Sequence, residues 1–500
     1  MPTAPPLMMA VAYGLCLPGA TVTVPSRHRA EPGLLAGRCA IMPDHDDDTI
    51  PVPRGRAVPS GRIARLGTFG RLAGGVAGGM LAEGARRLAA GERPTMGNMM
   101  LTPANATRIA DRLSHLRGAA MKLGQMISMD AGDLLPAELQ TIMARMRNQA
   151  YRMPPQQLDG VLKAEWGRDW RRRFRHFEAS PIAAASIGQV HRATMPDGRL
   201  LAIKVQYPGV RESIDADVDN VATLLRVSNL LPPSVDIAPL LAEAKRQLAE
   251  EADYRREGEQ MRAYAERLGD DPRYLVPTLD PMLTTDRVLA MSFVEGRPIE
   301  TLADAPQEVR DRAMTALIEL VLRELFAFGT MQTDPNFANY RWQPDSGRLV
   351  LLDFGATRTV PPETVASYRG LIEAGLLHDR DRIRELAVAN GFLGERAAAT
   401  HRPAVDRIIA AIDDTMARPG PFDFGDRAFV PVVREEARAL VADRATWHVP
   451  HVETLFVQRK VSGTALLGAR LKAKVDVRGL AAAAIGMAVP DQPSDANQSA

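Results

Sequence analysis

Cysteine is almost absent. The chain has two, Cys16 and Cys39, both within the first fifty residues. They cannot staple the rest of the fold, and their spacing is not that of metal ligands. Such usage fits a reduced, cytosol-facing protein. Net charge is equally sparse: 62 Lys and Arg against 60 Asp and Glu leave +2. A nucleic-acid partner asks for a basic stripe, so this balance argues against nucleic acid. No apolar run reaches the roughly 18–20 residues that span a bilayer. No internal repeat is apparent. What remains is an ordinary folded composition, 46% hydrophobic and 24% charged, in a chain long enough for two or three structural units.

Leu7–Leu17 is apolar, but no Lys or Arg precedes it, which counts against a signal peptide. The segment reads instead as lying ahead of the true start, with Met42 opening the polar stretch Asp44–Asp48. Residues 1–60, rich in Pro, Gly and Arg, read as a disordered leader. In the unit 61–100, Arg62, Arg65 and Arg71 lead into Leu72–Ala82, uncharged and glycine-rich, with Gly70, Gly74 and Gly78 every fourth residue. That stripe predicts a membrane- or self-associating helix; a flexible glycine-rich linker is the alternative.

The unit 101–175 reads as helical. Ile109, Leu113, Leu116, Ala120, Leu123 and Ile127 form one stripe, and helices follow at Leu139–Arg147 and Gln156–Trp166, the latter opened by Pro154-Pro155. The next unit, 176–295, turns to β. Ala184–Val190 and Leu200–Val205, around Pro196-Asp197-Gly198, predict a hairpin. A long helix is expected over Ala238–Leu268 and a strand over 288–294. The last folded unit, 296–488, reads as a helix over Gln307–Phe328, a strand over Arg348–Asp353, and helices from Pro362 to about Met487. A disordered tail, 489–500, follows.

Three patterns carry chemistry. Ala183-Ala184-Ala185-Ser186-Ile187-Gly188-Gln189-Val190 has kinase glycine-loop spacing with alanines replacing the first two glycines, and Leu201-Ala202-Ile203-Lys204 matches V-A-I-K. A lysine between Ile203 and Val205 on a strand asks for an anion. Asp334 to Asn339 has the D-x-x-x-x-N spacing of a catalytic loop, and Asp353-Phe354-Gly355 ends an apolar strand as a metal-binding D-F-G. One carboxylate plus one amide suits magnesium when phosphate oxygens complete its octahedron.

With these in register, the chain resembles the UbiB family (AarF and its mitochondrial relatives). Lys122-Leu123-Gly124-Gln125 looks like its K-x-G-Q signature, and 183–191 like its alanine-rich loop. Ala202–Gly209, Glu251-Ala252-Asp253 (E-x-D) and Gln332-Thr333-Asp334-Pro335-Asn336 follow its other patterns, over roughly residues 105–475. The resemblance implies an α+β, atypical protein-kinase-like bilobal fold with a helical N-terminal extension and a mostly helical large lobe. It implies that Lys204 binds ATP phosphates, that Asn339 and Asp353 hold Mg2+, and that Asp334 sits at the catalytic-base position. Ala183, Ala184, Ala185, Ser186, Gly188, Val190, Met291 and Phe293 complete the nucleotide-contacting set. Lys122, Gly124, Gln125, Glu251 and Asp253 are regulatory, with the K-x-G-Q segment over the site where a peptide substrate otherwise docks.

Helical geometry qualifies the E-x-D pattern. On an ideal helix Asp253 and Glu257 lie about 40° apart, whereas Glu251 points nearly opposite Asp253. Glu257 therefore ranks above Glu251 as the carboxylate paired with Lys204, and the helix is either irregular there or sends its two acids to different surroundings. After Gly355 no long activation segment follows, which disfavours phosphorylation of other proteins. The expected function is a Mg-dependent ATPase or atypical kinase supporting ubiquinone synthesis. Its partners would be an isoprenoid quinone precursor or membrane lipid and ubiquinone-biosynthesis enzymes. A non-catalytic scaffold that binds nucleotide or isoprenoid lipid is the alternative. Peripheral attachment to the inner, cytoplasmic face of a membrane through 62–90 is expected, and a homodimer through the glycine stripe is left open. His448-x-x-His451, interrupted by Pro450, is not read as a metal site. Arg168–Arg175, interleaved with Trp170 and Phe174, reads as either a phospholipid contact or a solvated helix end. Met121, Met126 and Met129 read as core packing, with a lipid-facing surface as the alternative.

Overall fold

A computed structural model describes Arg86 and residues 153–185, 187–227, 238–443 and 452–488. The leader, the glycine-rich segment apart from Arg86, the K-x-G-Q stretch with Lys122, Gly124 and Gln125, the methionines beside it, the Leu139–Arg147 helix, Ser186, His448, His451 and the tail 489–500 lie outside the described residues.

The small lobe opens with α1 (Pro155–Trp166), started by Pro at its first position where no amide partner is needed. Next come β1 (His176–Phe177), β2 (Ala183–Ala184), β3 (Gly188–Thr194) and β4 (Leu200–Gln206). The β3–β4 hairpin turns at Pro196-Asp197-Gly198, where Gly198 takes φ 89 and Asp197 Oδ1 accepts from Arg199 N at 3.0 Å. Strand β3 starts and ends later than the expected 184–190. The alanines form a separate short strand that doubles back on it, Ala183 opposite Val190. Gly188 marks the crossing: a Cβ there would lie 2.5 Å from Val205 O.

α2 (Val210–Val227) and α3 (Ala238–Glu251) follow, then α4 (Tyr254–Leu268). The expected single helix 238–268 is thus two. Asp253 leaves helical dihedrals, at φ −109 and ψ 91, and caps α4 by accepting from Arg256 N at 3.0 Å. Gln206 Nε2 captures the freed Ala252 carbonyl at 3.1 Å. β5 (Tyr274–Leu275) leads to β6 (Val288–Ser292), which completes the antiparallel sheet β1-β3-β4-β6, with β2 on β3. Against it pack Leu162, Trp166, Trp170 and Phe174. The two aromatics of the 168–175 cluster are therefore core side chains; a phospholipid contact there would lack its apolar half.

The large lobe begins at β7 (Arg297–Pro298) and α5 (Gln307–Arg323), whose last turn widens to a π-helix over Glu324–Phe328. Leu317, Leu320, Val321 and Leu325 are buried as their spacing predicts. Then follow β8 (Thr330–Gln332), β9 (Tyr340–Gln343), β10 (Arg348–Leu351) and β11 (Thr357–Thr359). A second sheet runs β5-β10-β9-β7, and β8 pairs with β11. The helices are α6 (Pro362–Leu376), α7 (Arg380–Ala389), α8 (Glu395–Thr400), α9 (Arg402–Met416), α10 (Val430–Ala442), α11 (Val452–Leu471) and α12 (Val477–Ile485). Two-residue strands β12 (Phe422–Asp423) and β13 (Lys474–Val475) interrupt the expected all-helical stretch. Among the described residues no helix is long and apolar enough to cross a membrane.

Candidate active site

Lys204 lies on β4 between Ile203 and Val205, both fully buried. Its Nζ donates to both carboxylate oxygens of Glu257, at 2.8 and 2.9 Å, and to Asp353 Oδ2 at 3.4 Å, with the Tyr254 ring 5.1 Å away. Burial works against the Lys204 ammonium, but the Asp353 and Glu257 charges outweigh it and hold the proton well above the ordinary lysine range. Burial lifts the Glu257 carboxyl to about 7 against the pull of Lys204. The break at Asp253 is what delivers Glu257, from the first turn of α4, to this spot. Glu251 ends α3 as a buried acid and Asp253 is the cap, so the two E-x-D acids occupy different structural roles.

Asp353 is held from the other side. Its Oδ1 accepts from Gly355 N at 3.0 Å. Arg256, one residue before Glu257, donates to the carbonyls of Gly355 and Thr357 at 2.9 and 2.6 Å. Arg358 reaches back to Glu243 and Glu250 on α3. The helices on both sides of the break thus clamp the D-F-G segment.

The catalytic-type loop is tied to the same segment. Leu352 N donates to Asn339 O at 3.0 Å, and Thr333 Oγ1 to Ala356 O at 2.8 Å. Within the loop Asp334 Oδ1 accepts from Asn336 N at 3.3 Å, and Asn339 Nδ2 donates to Asp334 O at 3.2 Å. With its nitrogen so engaged, Asn339 has its amide oxygen left as a ligand atom. The Asp353 side chain is 32% exposed. One carboxylate and one amide oxygen fit a magnesium ion that takes its remaining ligands from phosphates and water. Among the described residues no three His, Cys, Asp or Glu form a metal cluster of their own.

Val190, partly buried, and Met291 share an apolar cluster with Ala202, Leu351 and Phe354, and Phe293 packs against the same cluster. Ala183 and Ala184 are exposed on their short strand. Behind them, Gln189 Oε1 accepts from Met153 N at 2.9 Å and its amide contacts His191 Nε2 at 2.8 Å. His191 Nδ1 lies 2.8 Å from Glu178 O. A carbonyl can only accept, so Nδ1 carries the proton.

Sequence reasoning missed what supports the loop from below. Lys460, on α11, donates to Tyr340 Oη at 2.7 Å and Gln332 Oε1 at 3.3 Å, and lies 3.4 Å from Glu324 Oε2. Tyr264 Oη donates to Glu324 Oε1. Gln332 precedes Thr333-Asp334 and Tyr340 follows Asn339, so this network brackets the loop. Gly463 on the same helix packs against it directly: a Cβ there would sit 2.1 Å from Pro335 Cβ. The one available signal was a lysine on the apolar stripe Val457, Lys460, Val461, Thr464 and Leu467.

Known proteins resemble this chain over most of its length. The model described as ABC1 atypical kinase-like domain matches residues 145–387. The chain is 36% identical to the atypical kinase COQ8, mitochondrial, of Saccharomyces cerevisiae, over 86% of each chain. It is 39% identical to the atypical kinase COQ8B, mitochondrial, of Rattus norvegicus, covering 85% of this chain and 81% of that one. Among solved structures, the complex of Rv3197 with erythromycin from Mycobacterium tuberculosis aligns with a TM-score of 0.53 at 26% identity, covering 74% of this chain and 93% of that one. The bilobal fold, the residues gathered around Lys204 and this likeness over most of the length lead to one conclusion: the chain belongs to the ABC1 atypical kinase-like family, the UbiB and AarF group.

Proposed function

We propose that this protein binds Mg-ATP between its lobes and turns it over in support of ubiquinone (coenzyme Q) biosynthesis at a membrane, acting on or beside an isoprenoid quinone precursor. The observation that carries the reading is the Lys204–Glu257–Asp353 group with Asn339 and Asp334 on the adjoining loop. When bound, Mg-ATP supplies the transferable phosphoryl group and neutralises its developing charge. Lys204, oriented by Glu257, binds phosphate oxygens. Asp353 and Asn339 offer oxygens to the metal, and Asp334 orients the attacking hydroxyl or water and takes its proton.

Transfer to other proteins is disfavoured, because the chain runs from Gly355 through β11 directly into α6 and leaves no long docking segment. A second reading, a scaffold that holds nucleotide without turnover, draws on the alanines at 183–185, whose methyl groups restrict the backbone where glycines drape over phosphates. Attachment is proposed as peripheral, on the inner face of a membrane, through residues 62–90.

A thermal-shift titration tests the nucleotide site. A ligand specific for the folded state stabilises it by about 2.7 kcal/mol at a hundredfold excess over Kd. Wild type should gain that shift with Mg-ATP, and Asp353→Asn should lose it. Phosphate release should then rise with phospholipid vesicles, and the rise should vanish when 62–90 is deleted. No shift with any nucleotide from folded protein would end the enzymatic reading; a shift without phosphate release would favour the scaffold.

A further inference from the structure

One side chain joins α4 to the metal-binding acid through a single residue. Arg256 Nη1 donates to Gly355 O at 2.9 Å, and the N–H of the same Gly355 donates to Asp353 Oδ1 at 3.0 Å. Arg256 Nη2 spans on to Thr357 O at 2.6 Å. Two carbonyls are thus held by one planar guanidinium, a geometry that a lysine ammonium does not reproduce. Arg256 and Glu257 are consecutive in the first turn of α4. The turn that presents a carboxylate to Lys204 therefore also holds the backbone behind Asp353, and a shift of α4 would loosen both contacts together.

Arg358 fastens the far end of the same segment. It stands on β11, its side chain 8% exposed, and pairs with Glu243 and with Glu250 Oε2 at 3.1 Å, both on α3. The Phe456 ring of α11 lies 4.1 Å from its guanidinium carbon. A small-lobe helix, a large-lobe strand and a large-lobe helix meet at this one cation. In protein kinases, activation-segment phosphorylation controls the alignment of the D-F-G aspartate with the lysine–glutamate pair. Here β11 and then α6 follow Gly355 directly, so the alignment has to come from within the fold.

We propose that Arg256 and Arg358 are positioning residues that hold Asp353 permanently ready for Mg2+, taking the place of a phosphorylation switch. The proposal rests on the Mg-ATP reading of the interlobe site. It adds which residues set the metal affinity there and why no modification is needed to assemble it. Neither arginine touches nucleotide or metal in this scheme; both act through the segment 355–358.

Calorimetric titration of ATP into the full chain, once with Mg2+ and once with EDTA, tests it. Wild type should bind ATP more tightly with Mg2+, and phosphatase treatment beforehand should change nothing. Arg256→Gln should lose about tenfold of that Mg-dependent gain, with its affinity in EDTA unchanged. Arg358→Gln should do the same, and adding Glu243→Gln should cause little further loss, since both remove one contact. Arg246→Gln deletes a cation that pairs with the same two glutamates from the exposed side, and should keep the full gain. Arg256, 26% exposed, decides the matter if Arg358→Gln does not fold. Equal losses in Mg2+ and in EDTA would make the arginines merely structural, and an undiminished gain in Arg256→Gln would remove it from the site. Either result overturns the proposal while the nucleotide reading stands, as would a wild type that loses Mg-ATP binding on phosphatase treatment. Wild type that binds no ATP at all would end the nucleotide reading and this proposal with it.

Discussion

Among the described residues, two buried lysine–glutamate pairs, one in each lobe, are built for different ends. Lys204 and Glu257 meet at 2.8 Å, but Lys204 also reaches Asp353, whose side chain is 32% exposed. That pair opens onto a surface a ligand can reach. Lys460 and Glu324 are 1% and 0% exposed, and among the described residues they bond Tyr340, Gln332 and Tyr264. The sealed pair fixes the loop between Gln332 and Tyr340. Burial costs each ion several kcal/mol, and the gain from pairing returns it only with good geometry. The difference teaches that an ion pair with a third, solvent-facing carboxylate is poised to exchange partners, whereas a closed one is a structural pin.

The largest expected effect breaks the sealed pair. Lys460→Met should destabilise by ~3–5 kcal/mol in chemical denaturation, because Glu324 is left as an uncompensated buried charge. Adding Glu324→Gln should recover a large part of that loss. Lys204→Met should cost less stability, since its site includes Asp353, whose side chain is 32% exposed and open to solvent, while the Mg-ATP shift disappears. Equal stability losses at the two lysines would erase the distinction.

Next comes the backbone contact under the loop. Gly→Ala inside a helix ordinarily stabilises by roughly 0.5–1 kcal/mol. Gly160, with nothing within 4 Å of its added Cβ, should behave so. Gly463→Ala should instead destabilise by ~1–3 kcal/mol through its clash with Pro335. It should also lower turnover more than Mg-ATP affinity, because the displaced residues are those beside Asp334. A stabilised Gly463→Ala protein would show that α11 does not set the loop.

The smallest effect sharpens the small-lobe side. Burial holds the His191 proton affinity below the ordinary 6.5. As pH falls past 6.5 the unfolded chain is protonated first, so stability present above 6.5 is lost as pH drops through the lowered folded value. His191→Gln should flatten the fall in stability between about pH 7.5 and about pH 5, whatever it does to stability at neutral pH. An unchanged slope would mean that another group governs acid lability.

The open pair was legible because its parts lie on short local patterns: an alternating strand for Lys204, a fixed-length loop for Asp334 and Asn339, a strand end for Asp353. Glu257 was ranked correctly as the partner of Lys204, although from an ideal continuous helix. The actual cause, a cap at Asp253, was available as an Asp at the head of a new apolar stripe, but apolar periodicity on both sides hid it. Nothing local marked Lys460 as the partner of Glu324, since the two stand far apart in the chain and neither belongs to a spaced motif.

By itself, then, the sequence determined the kinase-like framework and marked Lys204, Glu257 and Asp353, which the fold brings together, because strand alternation, turn chemistry and motif spacing act over a few residues. Only the tertiary structure decided where the long helix breaks and which lysine seals the loop from below. Those facts depend on distant segments competing for the same buried volume and hydrogen bonds, a condition no local spacing encodes.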